Sequence, residues 1–339
     1  MFLISSLLLV PARPARWLGI VGLAALPLAA LAQTAPATLL NRLDVGVGSQ
    51  PVTVVTGDLN GDGRPDLASV DVDGSSISFR LGAAGGGFTN GGTLPVPASA
   101  NGPQDAVLAD FDNDGDLDLA VAQYAAEEVL VYHNSGTGTF TLAHTAILNG
   151  ARPIALATGD LNGDGFLDIV SADHQTNTFS RIVNLGNGTF GAVANEGAGG
   201  LPVSVAVADV TGDGAPEVLV GHFFTATVQV ARNNGSGGFP FDQVSTVAIG
   251  GSGGNLAVAD FDGDGDRDLI SANIGGPTIS IRRNNGSGVF ADAGSANVVV
   301  GSGAISFSGM RAGDLDADGD LDLIGTEANT DRAYRLLNT

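Results

Sequence analysis

The chain alternates short apolar stretches with turns that are rich in Gly and Asn. In one unit, apolar stretches at 106–109, 117–122 and 129–132 are separated by polar residues and followed by the turn Asn134–Phe140. Stretches of this length, rich in Leu, Ile, Val and Ala, are typical of β-strands, with Gly and Asn supplying the turns. No window beyond the N-terminal segment has convincing helical periodicity. The pattern therefore predicts an all-β protein.

A nine-residue acidic element recurs about every fifty residues. It begins at Asp58, Asp110, Asp160, Asp209, Asp260 and Asp314. Each copy lies between the first and second apolar stretches of its unit, and a fourth, more variable stretch leads to the next unit. Four short strands per unit, repeated radially, are typical of β-propeller blades. The main alternative is a β-solenoid, whose coils are usually shorter. The repeat predicts a six-bladed β-propeller of four-stranded blades.

The two ends of the chain indicate how the ring closes. The sixth unit stops at Asn338-Thr339, where the turn and the fourth strand of a unit would begin. The segment 38–47 (TLLNRLDVGV) has no acidic element of its own and resembles fourth strands such as Val244 to Ile249. We predict that residues 38–339 form a single propeller in which 38–47 is the outer strand of the last blade. Closure of this kind protects strand edges.

The N-terminus has the pattern of a targeting segment. Arg13 and Arg16 precede an apolar run, and Ala30-Leu31-Ala32 has the form that signal peptidase accepts. We predict a signal peptide at 1–32 and a short linker at 33–37, with no membrane span in the mature chain. The alternative is an uncleaved anchor, for which the run is short compared with the ~20 residues that cross a bilayer. An exported protein is expected, whether secreted, periplasmic or associated with the cell surface.

Composition excludes several functions. The chain has 36 acidic residues and 14 basic ones, all of them Arg, and a net charge of −22. Nucleic-acid binding through a basic face is excluded, because phosphate recognition needs clustered cations. Without Lys, Schiff-base chemistry is excluded, and without Cys, so are thiol catalysis, thiolate metal sites and disulfides. The acidic elements contain 24 of the acidic residues, so the excess negative charge lies in them.

The acidic elements have the chemistry of calcium sites. Positions 1 and 5 are always Asp, position 3 always carries an oxygen donor, position 6 is always Gly, and position 9 is Asp or Glu. Calcium takes six to eight oxygen ligands, and Gly permits the sharp turn that such a loop needs. Position 7 varies, as expected if its backbone carbonyl is the ligand. An EF-hand is disfavoured because no Glu follows at position 12 and the flanks are strands. Acidic turns without metal are the other alternative, although their carboxylates would repel one another.

The predicted metal sites cover six loops. The loops span 58–66, 110–118, 160–168, 209–217, 260–268 and 314–322. The candidate ligands at positions 1, 3, 5, 7 and 9 are Asp58, Asn60, Asp62, Arg64 and Asp66; Asp110, Asp112, Asp114, Asp116 and Asp118; Asp160, Asn162, Asp164, Phe166 and Asp168; Asp209, Thr211, Asp213, Ala215 and Glu217; Asp260, Asp262, Asp264, Asp266 and Asp268; and Asp314, Asp316, Asp318, Asp320 and Asp322. We predict up to six Ca²⁺ ions. The 209–217 site is expected to be the weakest because Thr211 replaces a stronger ligand.

At these residues the sequence resembles the FG-GAP or VCBS-type repeats, which are related to the propeller of integrin α chains. The resemblance rests on the DxNGDGxxDL pattern at Asp58 to Leu67 and at Asp160 to Ile169, and on Phe190-Gly191. It covers essentially the whole mature chain. It implies calcium in hairpin loops on one face of a propeller and partners on the opposite face. Functions in this family are diverse, so the resemblance does not identify a ligand.

A second set of polar residues falls where the strand after each loop ends. It lies five positions beyond loop position 9 and consists of Asp71, Gln123, Asp173, His222, Asn273 and Glu327, with Tyr124, His174 and Phe223 adjacent. If the loops lie on one face, these residues form a candidate partner-binding ring on the other. The alternative is that they end strands and satisfy turn backbones.

Two classes of function remain. The first is a secreted, calcium-stabilised interaction or adhesion module that binds an unknown extracellular protein or glycan. The second is an extracellular polysaccharide-active enzyme, such as a lyase using His and Tyr, although Tyr124, His174 and His222 lie in three different units. A lectin is a version of the first class. The mature chain has no Trp and three Tyr, which is little aromatic surface for sugar stacking.

Overall fold

The computed structural model describes residues 44–97, 102–274, 278–299, 307–316, 318–327 and 332–338. The predicted signal peptide at 1–32, the linker at 33–37 and residues 38–43 of the predicted closing strand lie outside these ranges. Residues 44–47 are described, without strand assignment. Within the described ranges the regular secondary structure is almost entirely β-strand, and the only helix is a single 3₁₀ turn at Phe241–Gln243.

The strands form six antiparallel sheets in chain order, one for each acidic loop. The prediction of a six-bladed propeller is confirmed. Blades 1 to 3 contain β1 (Pro51–Gly57), β2 (Asp66–Asp71), β3 (Ser76–Gly82) and β4 (Phe88–Pro95); β5 (Pro103–Ala109), β6 (Asp118–Gln123), β7 (Glu128–Asn134) and β8 (Phe140–Ile147); and β9 (Pro153–Gly159), β10 (Asp168–Asp173), β11 (Thr178–Ile182) and β12 (Ala194–Gly197). Blades 4 to 6 contain β13 (Pro202–Ala208), β14 (Glu217–His222), β15 (Thr227–Ala231) and β16 (Val244–Ala248); β17 (Ser252–Ala259), β18 (Asp268–Ile274), β19 (Thr278–Asn284) and β20 (Phe290–Val299); and β21 (Phe307–Gly313), β22 (Asp322–Glu327) and β23 (Arg332–Leu336).

Blades 1 to 5 have four strands each, and the described part of blade 6 has three. Closure of the ring by residues 38–47 therefore stays a prediction. Consecutive blades contact each other through their first strands, from β1 against β5 to β17 against β21. Side chains from these strands line a cavity of about 220 Å³, among them Thr53, Asp105, Leu156, Ser204 and Arg311.

The core lies between the blades. The second strand of each blade is central in its sheet and is covered on both faces, so β6, β10 and β14 are buried along their whole length. This explains why their sequences are nearly continuous runs of Leu, Val, Ile and Ala rather than alternating patterns. The fourth strands are largely exposed, as in β8, and this explains their variable sequences.

Candidate metal centres and the opposite face

Every acidic loop connects the first strand of its blade to the second, so the six loops lie at the same end of the propeller. The Gly at loop position 6 has a positive φ in all six copies, between 81° and 100°. These are Gly63, Gly115, Gly165, Gly214, Gly265 and Gly319. L-residues with side chains rarely adopt this conformation. The role that the sequence predicts for this Gly, a sharp turn within the loop, is confirmed.

The Asp residues at positions 1 and 5 shape the turn. In each loop the position 1 carboxylate accepts a hydrogen bond from the N–H of position 6, at 2.7 to 3.2 Å. The position 5 carboxylate accepts one from the N–H of position 7, at 2.9 to 3.0 Å. Each of these bonds uses one carboxylate oxygen and leaves lone pairs for other partners. The backbone turn thus holds the side chains of positions 1 and 5 in place.

The acid at position 9 is buried and anchors the loop to the blade. One oxygen of Asp118 accepts the N–H of Phe111 at 2.9 Å, and the other accepts the N–H of Asn134 at 2.8 Å. The same two bonds recur in the other five loops. Burial raises the pKa of Asp118 and of Asp168 to about 6. A nearby cation would oppose that shift, because it favours the ionised form.

Among the described residues, carboxylates converge in three of the loops closely enough to hold a metal ion. The oxygens of Asp110, Asp112 and Asp114 lie within 4.8 Å of one another. Position 1, 3 and 9 acids converge in the same way in the fifth and sixth loops, as Asp260, Asp262 and Asp268, and Asp314, Asp316 and Asp322. Such groups of hard oxygen donors fit calcium better than zinc or copper.

Three polar atoms in the loops are buried and have no hydrogen-bond partner among the described residues. They are Asp110 Oδ1, Asp316 Oδ1 and Thr211 Oγ1. A buried acceptor without a partner is costly, and a bound cation is one way to satisfy it. The donor set and these unpaired oxygens therefore fit the calcium ion that the sequence predicts. Positions 1, 3, 5 and 9 would hold it with their side chains.

Side chains at position 7 lie away from the converging acids. A Cβ at Gly186 would come within 2.6 Å of the Phe166 ring, and one at Gly136 within 2.3 Å of Asp116 Oδ2. These side chains cover the turn between the third and fourth strands of their own blade, which leaves only the backbone carbonyl of position 7 as a candidate ligand. In the first loop, Arg64 instead pairs with Asp62 at 2.7 Å.

His133 was missed as a site residue. The sequence places it near a strand end, which is typical of an ordinary surface residue. In the structure its Nδ1 lies 3.4 Å from Asp112 Oδ2, and it forms a candidate metal group with Asp112 and Asp118. Arg283 occupies the same position in blade 5 and pairs with Asp262 at 3.2 Å. The signal that could have found them is a basic or imidazole side chain directly before the Asn of the Asn-x-Gly-x-Gly-x-Phe turn.

At the other end of the blades, the predicted ring residues are mostly buried. Asp71 accepts hydrogen bonds from Ser69 Oγ at 2.9 Å and Ser78 Oγ at 2.6 Å. Asp173 accepts from three hydroxyl groups in the same way, and burial raises its pKa to about 6. Asn273 donates to hydroxyl oxygens. These side chains form hydrogen bonds with hydroxyl groups of their own blades and present little surface to a partner.

The three remaining ring positions differ from one another. Gln123 is fully buried. His222 is 3% exposed, contacts the carbonyl of Ala198 through Nε2, and has its pKa lowered by burial. Glu327 is the last residue of β22.

The adjacent residues Tyr124, His174 and Phe223 are more accessible. Tyr124 and His174 come from neighbouring blades, and their ring centroids are 6.5 Å apart. The guanidinium of Arg152 lies 5.4 Å from the centre of the Tyr124 ring. Phe223 is 38% exposed and meets Phe224, 70% exposed, at a centroid distance of 5.1 Å. The structure thus brings together Tyr124 and His174, which are fifty residues apart in the sequence.

Tyr124 and His174 line an open cavity of about 560 Å³ over blades 1 to 3. Its other polar lining residues include Asp73, Ser75 and Gln104. The cavity is at the end of the blades opposite the acidic loops, since Asp73 and Ser75 belong to the turn between β2 and β3. It therefore combines one aromatic side chain with several hydrogen-bonding groups.

The profile of the FG-GAP-like repeat family matches the chain over residues 58–121, 110–171, 160–220, 223–271 and 260–325. The chain belongs to this family. No curated protein sequence matches it significantly.

Solved structures share the fold of this FG-GAP-like repeat protein at low sequence identity. A lectin of Agrocybe aegerita, described as recognising non-reducing terminal N-acetylglucosamine, has a TM-score of 0.54 and 21% identity, over 86% of this chain and 81% of the lectin. The BBS1N protein, solved in complex with ARL6DN, has a TM-score of 0.56 and 14% identity, over 81% of this chain and 76% of that one. At these identities the likeness concerns the fold alone.

A further feature of the FG-GAP-like blades is an Asn that joins neighbouring loops. Nδ2 of Asn134 donates to the carbonyl of Leu59, in the loop of the preceding blade, at 2.9 Å, and to Leu117 of its own loop at 3.0 Å. Asn184, Asn233, Asn284 and Asn338 donate to the preceding loop in the same way. Gly82 holds this position in blade 1 and has no side chain to reach another loop. The sequence pattern indicates that this Asn is a turn residue, but it does not indicate the bond to the neighbouring loop.

Within the part of the chain that the structure describes, there is no helix with the length and apolarity needed to cross a membrane.

Proposed function

We propose that the protein is an exported, calcium-binding β-propeller that acts as an extracellular interaction or adhesion module. The observation that carries the proposal is the convergence of acidic side chains in loops that recur at one end of every blade. In this role the calcium is structural. It offsets the repulsion between the acids and holds the hairpin between the first two strands of a blade. Binding to the folded state alone stabilises it by mass action.

Export agrees with a calcium role. The N-terminal segment has the sequence pattern of a cleaved signal peptide. Extracellular calcium is commonly millimolar, and modules that work there can use sites of modest affinity. The test is to express the full-length chain, recover the exported protein, and determine its N-terminal residue. We expect Gln33; retention of residues 1–32 in the purified protein would contradict this part of the proposal.

The end of the propeller opposite the loops is the proposed partner-binding face. Phe223 and Phe224 support this assignment, since an exposed aromatic pair of this kind is favourable at a protein interface. Most of the ring residues predicted from sequence are buried. The proposed contacts are therefore made by their neighbours, namely Tyr124, His174 and the two Phe residues.

The test measures adhesion of the purified protein to the surface of the cells that export it. A variant with Phe223→Ser and Phe224→Ser should lose most of the binding. Leu185→Ser is the matched control, because Leu185 is 61% exposed but lies at the loop end of blade 3. Equal binding by the parent and both variants would refute this face as the contact surface.

Glycan binding is the second candidate, and the Tyr124 cavity is the observation that favours it. Sugar sites commonly combine an aromatic face with polar side chains, and this cavity contains Tyr124, His174, Asp73 and Gln104. The fold likeness to a lectin supports the same candidate. A glycan array probed with the parent and with Tyr124→Ala, each with and without calcium, tests it. The same glycans, examined for cleavage, test the lyase alternative.

A further inference from the structure

The cavity of about 220 Å³ between the first strands, here called the axial cavity, lies at the centre of the ring. The first strands of all six blades contribute to its lining, from Val52 in β1 to Arg311 in β21. A water molecule takes about 30 Å³ in the liquid, so the axial cavity has room for a small organic molecule. It shares Val52, Gln104 and Ile154 with the cavity beside Tyr124, which is open to solvent. The shared residues give the axial cavity an entrance from that end of the propeller.

Arg311 brings a positive charge to a position that is apolar in the other five blades. It pairs with Ile324, which lies two residues after the position 9 acid of its blade. The residues that hold the same place in the register of blades 1 to 5 are Val55, Val107, Ala157, Ala206 and Ala257. The repeat therefore folds without a cation at this position, and the guanidinium is particular to blade 6 of this chain.

The hydrogen bonds of Arg311 also differ from those of the other polar side chains in the axial cavity. Ser204 Oγ, for example, donates to the carbonyl of Gly254 in the next blade at 2.6 Å, and so joins two blades. Arg311 Nη1 donates to the carbonyl of Met310, in its own strand, at 2.7 Å. Among the described residues this is the one hydrogen bond that the guanidinium donates. Nε and Nη2 therefore have N–H groups for a further acceptor.

Asp105 is the acidic side chain of the same cavity. One of its oxygens accepts the N–H of Leu156, in blade 3, at 2.8 Å. Burial raises the pKa of Asp105 to about 6, although this hydrogen bond and the charge of Arg311 oppose the rise. Asp105 and Arg311 interact through their charges, without a hydrogen bond between them. The axial cavity thus contains one negative and one positive group that are not in direct contact.

These two charges decide which ligand chemistry fits the axial cavity. A guanidinium binds a carboxylate through two parallel hydrogen bonds. A carboxylate alone would also bring a second negative charge close to Asp105, which like-charge repulsion disfavours. A ligand that carries an ammonium group beside its carboxylate avoids this cost, because the ammonium can donate to Asp105. Ile154, Leu156 and Leu256 line the same cavity and favour an apolar remainder of the ligand.

We propose that the axial cavity binds a small α-amino acid with an apolar side chain, with its carboxylate on Arg311 and its ammonium group on Asp105. This site is separate from the acidic loops and from the exposed aromatic residues of the opposite face. It goes beyond the proposed adhesion role and does not depend on it. In calcium, where the propeller is expected to be most stable, the site can be tested by itself.

The first test is calorimetric titration of the purified protein, in calcium, with glycine, L-valine and L-leucine. L-leucine should bind saturably, with one molecule per chain. Two matched ligands keep its carbon skeleton and remove one charged group each: isocaproate lacks the ammonium group, and isoamylamine lacks the carboxylate. Each should bind at least about tenfold more weakly than L-leucine. Absence of saturable binding of all three amino acids at millimolar concentrations would overturn the proposal, and so would equal affinities for L-leucine and either analogue.

The second test removes the cation. Arg311→Val introduces the residue that blades 1 and 2 carry at this position, so the variant should fold, which its melting curve in calcium checks. Its affinity for L-leucine should fall at least about tenfold. Arg335→Val is the matched control, because Arg335 is exposed on β23 of the same blade, and its affinity should equal that of the parent. Equal affinities for Arg311→Val and the parent would refute the carboxylate contact.

The third test exchanges the preference between two ligands. Asp105→Asn keeps an acceptor for the N–H of Leu156 and removes the negative charge. Its affinity for L-leucine should fall at least about tenfold, whereas its affinity for isocaproate should rise above that of the parent, because the charge that repels a carboxylate is gone. A purely structural role of Asp105 would change both affinities in the same direction. Equal falls for the two ligands would therefore refute the ammonium contact.

Discussion

The second and fourth acidic loops fold alike but offer different ligands. In both, the position 1 Asp accepts the N–H of the position 6 Gly, at 3.0 Å from Gly115 to Asp110 and 2.9 Å from Gly214 to Asp209. In both, the position 9 acid accepts two backbone N–H groups. The backbone turn is thus a property of the whole repeat and does not depend on the acids that differ.

The two loops differ in how many further side-chain oxygens they offer to a metal ion. Asp112 converges with Asp110 and Asp114 in the second loop. Its counterpart Thr211 offers a single hydroxyl, which is buried and has no hydrogen-bond partner among the described residues. The second loop carries five acids and the fourth carries three. Positions 1, 5, 6 and 9 therefore form the turn, and we propose that position 3 sets how strongly the turn binds a cation.

The largest effect is expected where the turn itself is broken. Asp118→Ala leaves the N–H groups of Phe111 and Asn134 without acceptors in a buried place, which should cost about 3 to 5 kcal/mol of unfolding free energy. Glu217→Ala should cost less, because its bond to Asn233 is long, at 3.4 Å. Asp116→Ala, at position 7, is the control and should cost under about 0.5 kcal/mol. Denaturant unfolding in calcium measures all three, and equal losses at 116 and 118 would contradict the anchoring role.

The next largest effect is a difference between the two loops in calcium-dependent stability. Asp112→Ala should remove one bound calcium and about 2 to 3 kcal/mol of calcium-dependent stability, if the parent site is saturated about a hundredfold. Thr211→Ala should remove no more than about 1 kcal/mol, because the fourth loop binds more weakly. The measurement is the difference in unfolding free energy with and without calcium for each variant. A larger loss at Thr211 would reverse the ranking of the sites.

A third pair of variants should lower the unfolding free energy by the same amount in both blades. The Nδ2 groups of Asn134 and Asn233 each join two loops, with bonds of 2.7 to 3.1 Å. Asn134→Ala and Asn233→Ala should therefore each cost about 2 kcal/mol, with or without calcium. Chemical denaturation in EDTA checks the claim. If the cost appeared only in calcium, the Asn would belong to the metal site rather than to the scaffold.

The smallest effect is on pH dependence without calcium. Burial raises the pKa of Asp118 to about 6 in the folded protein, above its ordinary value of 3.8. Ionising it therefore opposes folding above pH 6, and this cost disappears as the pH falls towards 4. In EDTA, the parent should gain stability between pH 7 and pH 5, by about 1 kcal/mol from this group after solvent screening. In calcium the trend should be reversed, since protons compete with the metal.

That pH comparison is best made against Asp118→Asn, which cannot titrate. The unfolding free energy of the parent minus that of the variant should increase from pH 7 to pH 5 in EDTA, because only the parent loses an unfavourable charge. A difference that stays constant over this range would show that Asp118 has an ordinary pKa in the folded protein.

The sequence predicted the blade architecture well because the acidic loops mark it directly. Each loop contains its own turn chemistry, so the role of Gly115 and the position of Asp110 follow from local spacing. What it missed depends on contacts between blades. His133 reaches Asp112 only because of how β7 packs beside the loop, and Asn134 reaches Leu59 across 75 residues of chain. A basic or imidazole side chain before the Asn of the turn is a local signal, but it does not show which loop acid that side chain contacts.

On the opposite face, too, the sequence did not show which residues are buried. The periodic spacing correctly places Asp71 and Asp173 at strand ends, but spacing does not indicate whether a strand end is open or covered. The neighbouring Ser side chains cover both carboxylates. The accessible residues are those one position later, Tyr124, His174 and Phe223, and their exposure depends on how the hairpin turns leave the blade.

The central claim is that the acidic loops bind calcium, and titration of the chelator-treated mature protein with Ca²⁺ by isothermal calorimetry tests it most directly. We predict binding of up to six ions per chain, one of them markedly weaker, and a melting temperature more than about 10 °C higher in calcium than in EDTA. The count should fall by one in Asp112→Ala. Absence of binding heat at millimolar calcium, together with superimposable melting curves in calcium and EDTA, would contradict the account.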